Sequence, residues 1–310
     1  MEFGIYLRRE TTYPKMLELA LTAEKLGFHS AYLNDHVHGV GKPEDEYMEA
    51  WTAMTGIGVQ TTKLRIGQIV LFNSLRNPAF LAKSIATLDQ MTNGRYELMI
   101  GAGWNIPEYE GYDLMEGGRG MPSAKERVDR FEEAVQIIQS MLNNEKTSFD
   151  GKFWKLKEAI NIPQPIQKPM RMSVGCGKPR MMNITAKYAN GINLGGNFTK
   201  LQILINQFSE IAKKYGKTLS DYYISGFTNF NLTTTEDDAK EIAKPIAERT
   251  KTTIDEVLNE NYIGNAQNIV DKIRRVKDMG VDMTVLILPY PSTKDHQTIE
   301  YFHDNVMTQI

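Results

Sequence analysis

The chain has 310 residues, with 36 Lys and Arg against 38 Asp and Glu. That length accommodates one large α/β barrel or two smaller domains, and the near-neutral charge balance argues against nucleic acid or an anionic membrane surface as the main partner. A single cysteine, Cys176, excludes an internal disulfide and fits a reducing cytosol, so a cytoplasmic location is expected.

EFGIYL opens the chain as a first strand. Pro14 to Leu26 reads as a helix with Leu17, Ala20, Leu21 and Leu26 inward and Gly27 as its stop. HSAYLND is a second strand, and Glu44 to Gln60 a second helix. The most informative stretch runs from Leu64 to Trp104. LRIGQIVLF is apolar and β-branched, as a buried strand should be. Asn77-Pro78 opens a helix, since Pro78 stands where a missing N–H is harmless. That helix carries Phe80, Leu81, Ile85, Leu88 and Met91 at helical spacing and ends near Asn93-Gly94. RYELMIGAGW is the next strand and finishes in Gly-Ala-Gly. A strand-helix-strand of this length is a parallel crossover.

A polar, Gly-rich loop (EGYDLMEGGRGMPS) follows. Ser123 and Glu126 then have capping-box spacing, opening a helix that runs to about Leu142. Residues 145–169 interrupt the rhythm: FDGKFWKL reads as a hairpin around Asp150-Gly151, and Pro163, Pro165 and Pro169 make an extended run. The alternation resumes with RMSVGCG, a helix from Pro179 to Ala189, GINLGG, and a helix from Leu201 to Tyr215. DYYISGFTNFNL, Glu236–Arg249, Ala266–Met279, MTVLIL and a short final helix complete it. Eight strands alternating with helices over this length match a (β/α)8 TIM barrel, with a doubly wound sheet as the alternative. The simpler organisation is a single domain over 1–310 with an insertion at 145–169. The N-terminal MEFGIYLRRE lacks the long apolar stretch of a secretion signal, and no run approaches the roughly 18 apolar residues of a membrane span.

In such a barrel the chemistry lies at the C-terminal ends of the strands. The residues there are Arg8-Arg9, Asn34-Asp35-His36, Phe72-Asn73, Gly101–Trp104, Gly175–Pro179 and Asn193–Gly196. The turn Gly175-Cys176-Gly177-Lys178-Pro179 combines two glycines, a lysine and a helix start. It reads as an anion site or, more plainly, as a tight strand-to-helix turn. His36 and His38 alternate as a metal pair would, but the next histidine after them is His296, so no metal is expected. The other functional reading makes His36 a proton donor or acceptor beside Asp35. Trp104 would wall a flat pocket or pack as an aromatic lid. Cys176 has no histidine near it in sequence and reads as a small buried thiol rather than a nucleophile. Tyr109 and Tyr112 line the loop after the fourth strand or pack within it.

LRIGQIVLFNSLRNPAFLAKSIATLDQMTNGRYELMIGAGW, SAKERVDRFEEAVQII, FDGKFWKL, SVGCGKPRMMNITAKYANGIN and IGNAQNIVDKIRRVKDMGVDMTVLIL together resemble the bacterial luciferase-like superfamily. The closest resemblance is to its coenzyme F420-dependent oxidoreductases. It implies a (β/α)8 barrel with the insertion on its C-terminal face, no metal, and hydride transfer at a deazaflavin ring. Asp35 and His36 then fall at an acidic and an acid/base position. Ile69-Val70 falls where many members have a bulged strand with a non-prolyl cis peptide behind the ring. The Gly175–Pro179 turn falls where the cofactor phosphate sits. Phe72, Asn73, Gly103 and Trp104 would edge the ring, with Asn193 and Gly195 also in contact with the cofactor. Luciferase-type FMN enzymes often carry an arginine in the turn after the fourth strand. Ala102 stands at about that position here, which favours F420 over FMN. The alternatives are an FMN-dependent monooxygenase and a non-catalytic flavin- or F420-binding protein. The resemblance further implies a homodimer and a small-molecule substrate, met by the loops 37–46, 105–122 and 145–169.

Overall fold

The computed structural model describes residues 1–7, 12–40, 44, 46–288 and 295–310. The Arg8-Arg9 candidate therefore lies outside the described residues. The barrel strands are β1 (Glu2–Tyr6), β2 (Ser30–Leu33), β3 (Arg65–Gln68), β4 (Tyr96–Gly101), β5 (Met172–Gly175), β6 (Gly191–Gly195), β7 (Tyr223–Leu232) and β8 (Met283–Ile287). Each pairs in parallel with the next, and β1 pairs with β8 through Glu2↔Met283, so the sheet closes on itself. These are the eight strands read from the sequence, and the fold is a (β/α)8 barrel.

The helices are α1 (Tyr13–Lys25), α2 (Ala50–Gln60), α3 (Pro78–Met91), α4 (Ile106–Gly111), α5 (Ala124–Asn143), α6 (Pro179–Tyr188), α7 (Phe198–Lys213), α8 (Glu236–Thr250), α9 (Ile254–Glu260), α10 (Ala266–Asp278) and α11 (Asp295–Asn305). Caps explain several boundaries. Asn77 accepts from the Ala79 and Phe80 amides at the start of α3, directly before Pro78. Ser123 accepts from the Glu126 amide at the start of α5.

Several expectations need correction. Helix α2 begins six residues later than expected, because the Glu49 carboxylate caps the Trp51 and Thr52 amides. Helix α1 buries Met16, Leu19, Ala20 and Ala23, while Leu21 is exposed. Phe80 and Met91 share the spacing of the α3 core positions but lie at the edge of its apolar stripe and face outward; Leu81, Ala82, Ile85 and Leu88 fill the core. Each such buried Leu or Ile side chain contributes about 1.5–3 kcal/mol. Helices α4 and α9 and a short strand, Tyr262–Gly264, beside the end of β7 were not anticipated.

The insertion is the largest correction. Lys146–Asp150 and Lys155–Ile160 form the expected antiparallel hairpin. It lies along α5, where Glu133 accepts from the Lys152 and Phe153 amides and Arg130 stacks on Phe153 at 4.4 Å. The following run packs at the N-terminal ends of the strands, not on the C-terminal face. Gln167 Nε2 donates to the Tyr96 carbonyl at 2.8 Å, and Arg65 donates to Gln167 at 2.7 Å. The reason is topological: the insertion joins the end of a helix to the start of a strand, and both lie at that end of a barrel. Two of its peptide bonds, Ile162–Pro163 and Lys168–Pro169, are cis.

Candidate functional site

The C-terminal mouth of the barrel is shaped first by β3. Between its pairings Gly67↔Glu97 and Leu71↔Ile100 with β4, β3 contains one residue more than its partner. This is a bulge, which re-aims the strand. The Ile69–Val70 peptide within it is cis. The strand resumes at Leu71–Phe72. Val70 is turned into the barrel, and the neighbouring strands make room for it. A Cβ on Gly101 or Gly175 would stand 2.8–2.9 Å from the Val70 side chain, and one on Gly195 would stand 2.5 Å from the Phe227 ring. Glycines therefore line three strand ends where any side chain would fill the space.

Above this floor lies a cavity of about 400 Å3. Asp35 and His36 border it on the β2 side, and Ile69, Val70 and Phe72 on the β3 side. Gly103 and Trp104 border it after β4, Gly175 and Cys176 after β5, and Asn193 and Gly195 on β6. Four candidates do not reach its lining. Asn73 is buried behind Phe72, and its Oδ1 has no hydrogen-bond partner. Gly177, Lys178 and Pro179 stand exposed at the outer rim. There α6 begins with no side-chain cap on its first amides, leaving N–H groups and the Lys178 charge open to an anion. The cradle is apolar below, with hydrogen-bonding groups at its edges, and its residues fit a deazaflavin or flavin ring.

His36 borders the cavity, but its hydrogen-bond partner is not Asp35. His36 Nδ1 lies 2.7 Å from Glu108 Oε2, and Glu108 Oε1 accepts the Val37 amide at 2.7 Å. Glu108 is fully buried on α4. Burial would raise its carboxyl, but the bonds from His36 and Val37 outweigh that and hold it below the ordinary range. A carboxylate only accepts, so the shared proton sits on Nδ1 and Nε2 is left for exchange with the cavity. Trp104, 59% exposed, stands edge-on to the His36 ring at 5.6 Å. Phe72 packs edge-on against Tyr109 at 5.3 Å, and Tyr109 is buried beneath it with its hydroxyl 2.9 Å from Ser74. Tyr112 stacks on His38 at 6.4 Å.

Asp35 has a different occupation. Its carboxylate receives two bonds from Arg76, at 2.5 and 3.0 Å, and one from the Phe72 amide at 2.9 Å. Burial pushes this carboxyl up against the pull of Arg76. Asp35 fastens the end of β2 to the β3 bulge and does not orient His36. Cys176 is a passive neighbour: burial pushes its thiol up to about 12, with the Thr185 hydroxyl 3.9 Å away. The turn after β4 is not without a cation either. Arg127 reaches it from α5, its Nε donating to the Gly103 carbonyl at 3.2 Å. Among the described residues no group of three or more His, Cys, Asp or Glu side chains could hold a metal.

Sequence reasoning missed Glu108 and Arg127. Glu108 lies in a stretch read as loop, 72 positions from His36, and Arg127 reads as one charge on an amphipathic helix. The only available signal for Glu108 was an acidic residue directly after Ile106-Pro107, a helix start.

The closed parallel barrel, the bulged third strand and the glycine cradle at its C-terminal mouth define a (β/α)8 barrel protein with a cavity at the C-terminal ends of its strands. Residues 1–255 match the luciferase-like monooxygenase family, and the chain belongs to it. An F420-dependent glucose-6-phosphate dehydrogenase of Kribbella flavida is 31% identical over 214 residues, covering 66% of this chain and 61% of the relative. Pyrimidine monooxygenase RutA of Yersinia enterocolitica is 28% identical over 193 residues, covering 59% and 50%. The matched stretch thus spans less than two thirds of the length of these curated relatives. The structure of an F420-dependent secondary alcohol dehydrogenase in complex with an F420-acetone adduct superposes with a TM-score of 0.84 at 22% identity, over 100% of this chain and 99% of the other. Monooxygenase RslO1 from Streptomyces bottropensis gives 0.80 at 19% identity, over 99% of each. No helix among the described residues is long and apolar enough to cross a membrane.

Proposed function

We propose that the chain is a coenzyme F420-dependent oxidoreductase that transfers a hydride between the deazaflavin and a small organic substrate. The observation that carries this reading is the pairing of a glycine-cradled slot with a buried acid–base dyad, His36–Glu108, in its wall. Relatives named as F420-dependent dehydrogenases support the cofactor. When bound, the deazaflavin supplies two-electron hydride chemistry. The chain's own part is to back the ring with Val70 and the bulge, edge it with Phe72, and hold the cofactor phosphate on the α6 amides and Lys178. Exclusion of water by Trp104 and Phe72 would strengthen the His36–Glu108 bond. His36 Nε2 would give or take the proton that accompanies the hydride.

Arg127 at the β4 turn, together with monooxygenase relatives, favours FMN as the second reading. Titration of the protein with F420 and with FMN, followed by fluorescence, separates the two. Tight FMN binding with none of F420 would overturn the first. Screening for turnover with the preferred cofactor, with His36→Ala as control, distinguishes an enzyme from a non-catalytic carrier. The assembly we propose is a homodimer, supported by the exposed Phe80 and Met91 on α3 and checked by light scattering. A single cysteine, kept as a thiol, supports a cytoplasmic setting.

A further inference from the structure

Helices α8 and α9 and the short strand Tyr262–Gly264 carry a core of their own. Ala239, Ala243 and Ala247 of α8 pack there with Val257 and Ile263, apart from the barrel core. A cavity of about 320 Å3 opens between this unit and α10, and it shares no lining residue with the ring cavity. Its lining sets Glu236 and Asp255 against Lys240 and Lys272. These charges balance, so the space favours a neutral molecule over an ion. The Thr233 hydroxyl, buried in the same wall, has no hydrogen-bond partner among the described residues.

Lys272 is the reactive group of this wall. It belongs to α10, is half-buried, and its Nζ donates to the Leu258 carbonyl at 2.6 Å and to the Ile263 carbonyl at 2.5 Å. Carbonyls in the last turn of a helix have no partner within it, so this amine ties down the end of α9. Arg275, three residues on, donates to the Asn259 carbonyl at 3.2 Å, and its charge is met by Glu260 at 3.0 Å. Glu236 and Lys240 of α8 and Asp255 of α9 are exposed at the cavity, and among the described residues no carboxylate pairs with Lys272. Burial without such a partner brings its amine from the ordinary 10.5 down to about 8. The neutral amine has two hydrogens, which the two carbonyls occupy, and its lone pair is left for attack.

We propose that Lys272 is a modification site that captures small neutral aldehydes as a reversible imine, and that capture releases the end of α9. The step is a condensation. The Nζ lone pair attacks the aldehyde carbon, a C=N bond replaces C=O, and the oxygen leaves as water with both hydrogens of the amine. No electrons are exchanged, and hydrolysis restores the lysine. The neutral imine has no N–H left, so the Leu258 and Ile263 carbonyls both lose their donor. The proposal is independent of what the ring cavity binds, because it uses none of that cavity's residues.

Reductive alkylation of the full chain with propionaldehyde and cyanoborohydride, read by peptide mass mapping, tests the site. At pH 7.5 Lys272 should be labelled about tenfold faster than the exposed Lys240 and Lys251. Its rate should be half-maximal near pH 8, as its lowered value requires. Glyoxylate, an aldehyde carrying a negative charge, should label it several times more slowly than propionaldehyde. Labelling of Lys272 no faster than that of Lys240, a rate still climbing beyond pH 9.5, or equal rates with glyoxylate would overturn the capture site. Hydrogen exchange tests the release. With propionaldehyde present and no reductant, the amides of α9 and of 262–264 should exchange severalfold faster, and dialysis should reverse this. Lys272→Met should show the faster exchange from the start, with no response to aldehyde. Exchange of the parent unchanged at aldehyde concentrations that label Lys272 would sink the release, and because that measurement uses the parent chain it stands even if Lys272→Met does not fold.

Discussion

Glu108 gives His36 a direction. A histidine at the mouth of a cavity can present either ring nitrogen; a buried carboxylate on Nδ1 leaves Nε2 free towards the cavity and steadies the ring when it carries charge. Turnover should fall about a hundredfold in His36→Ala and about tenfold in Glu108→Gln, with ring affinity changed less than about threefold in either. Full activity in His36→Ala would remove it from the reaction. The same pair makes a pH prediction. Glu108 is held below its ordinary value of about 4.3, so its contribution to stability is complete above that pH and is lost as the pH falls through the folded value. Denaturant melts should show the parent more stable than Glu108→Gln at neutral pH, with the gap closing in acid. Cys176 behaves oppositely: with its thiol pushed up to about 12, it stays neutral near pH 8. Iodoacetamide should therefore label it slowly in the folded protein and readily after unfolding, as read by intact mass. Fast labelling of the native state would contradict the burial that raises it.

Strand β3 and its neighbours show how local order becomes a site. The bulge turns Val70 inward, Asp35 ties the bulge to β2 through Arg76, and Arg76 also reaches Glu49 at the start of α2, 2.9 Å away. Three elements thus converge on one guanidinium. Arg76→Ala should cost about 3–5 kcal/mol, because it leaves the Asp35 carboxylate buried without its partner; thermal or denaturant unfolding measures it. Gly103 is the second constraint. Its φ is +79°, and a Cβ there would stand 1.9 Å from the Phe72 ring. Gly103→Ala must displace Phe72, so ring binding should weaken even in molecules that remain folded, which a fluorescence titration reads. Much of this was legible in the sequence. Apolar, β-branched runs marked the barrel strands and helical spacing the helices, and Gly27, Asn77-Pro78 and Ser123 marked helix ends. What escaped depended on partners far apart in the chain. No local pattern told that Glu108 would meet His36, that Arg127 would reach the β4 turn, or that Arg76 would take Asp35 away from His36. The insertion was misplaced because the resemblance overrode connectivity, although a helix-to-strand linker must lie at the N-terminal end of the barrel.

The barrel divides its labour between its two ends. At the N-terminal end, Glu97 of β4 is buried inside the barrel and paired with Arg65 and with Arg171, the latter at 2.6 Å. Arg171 in turn lies over the Tyr223 ring at 3.5 Å, and Tyr223 bonds to Glu2. Strands β1, β3, β4 and β7, together with Arg171 just before β5, are thereby cross-linked through one charged layer, with Tyr32, Met99 and Met283 packed above it and the cavity above them. Nothing in that layer touches the cavity, so it can hold the barrel closed without taking part in chemistry. Replacing Glu97 leaves two guanidiniums without their counter-charge inside a closed sheet. Glu97→Ala should therefore cost about 3–5 kcal/mol, a drop in Tm of about 5–10 °C for a chain of this size. Below that lowered Tm it should bind the ring with parental affinity. Glu108→Gln should behave in the reverse way near neutral pH, losing much more turnover than thermal stability. Measuring Tm and ring affinity on both variants checks the division in one experiment. If Glu97→Ala weakened ring binding as much as it lowered Tm, the two ends would be coupled through the packed layer between them, and the separation argued from their geometry would fall.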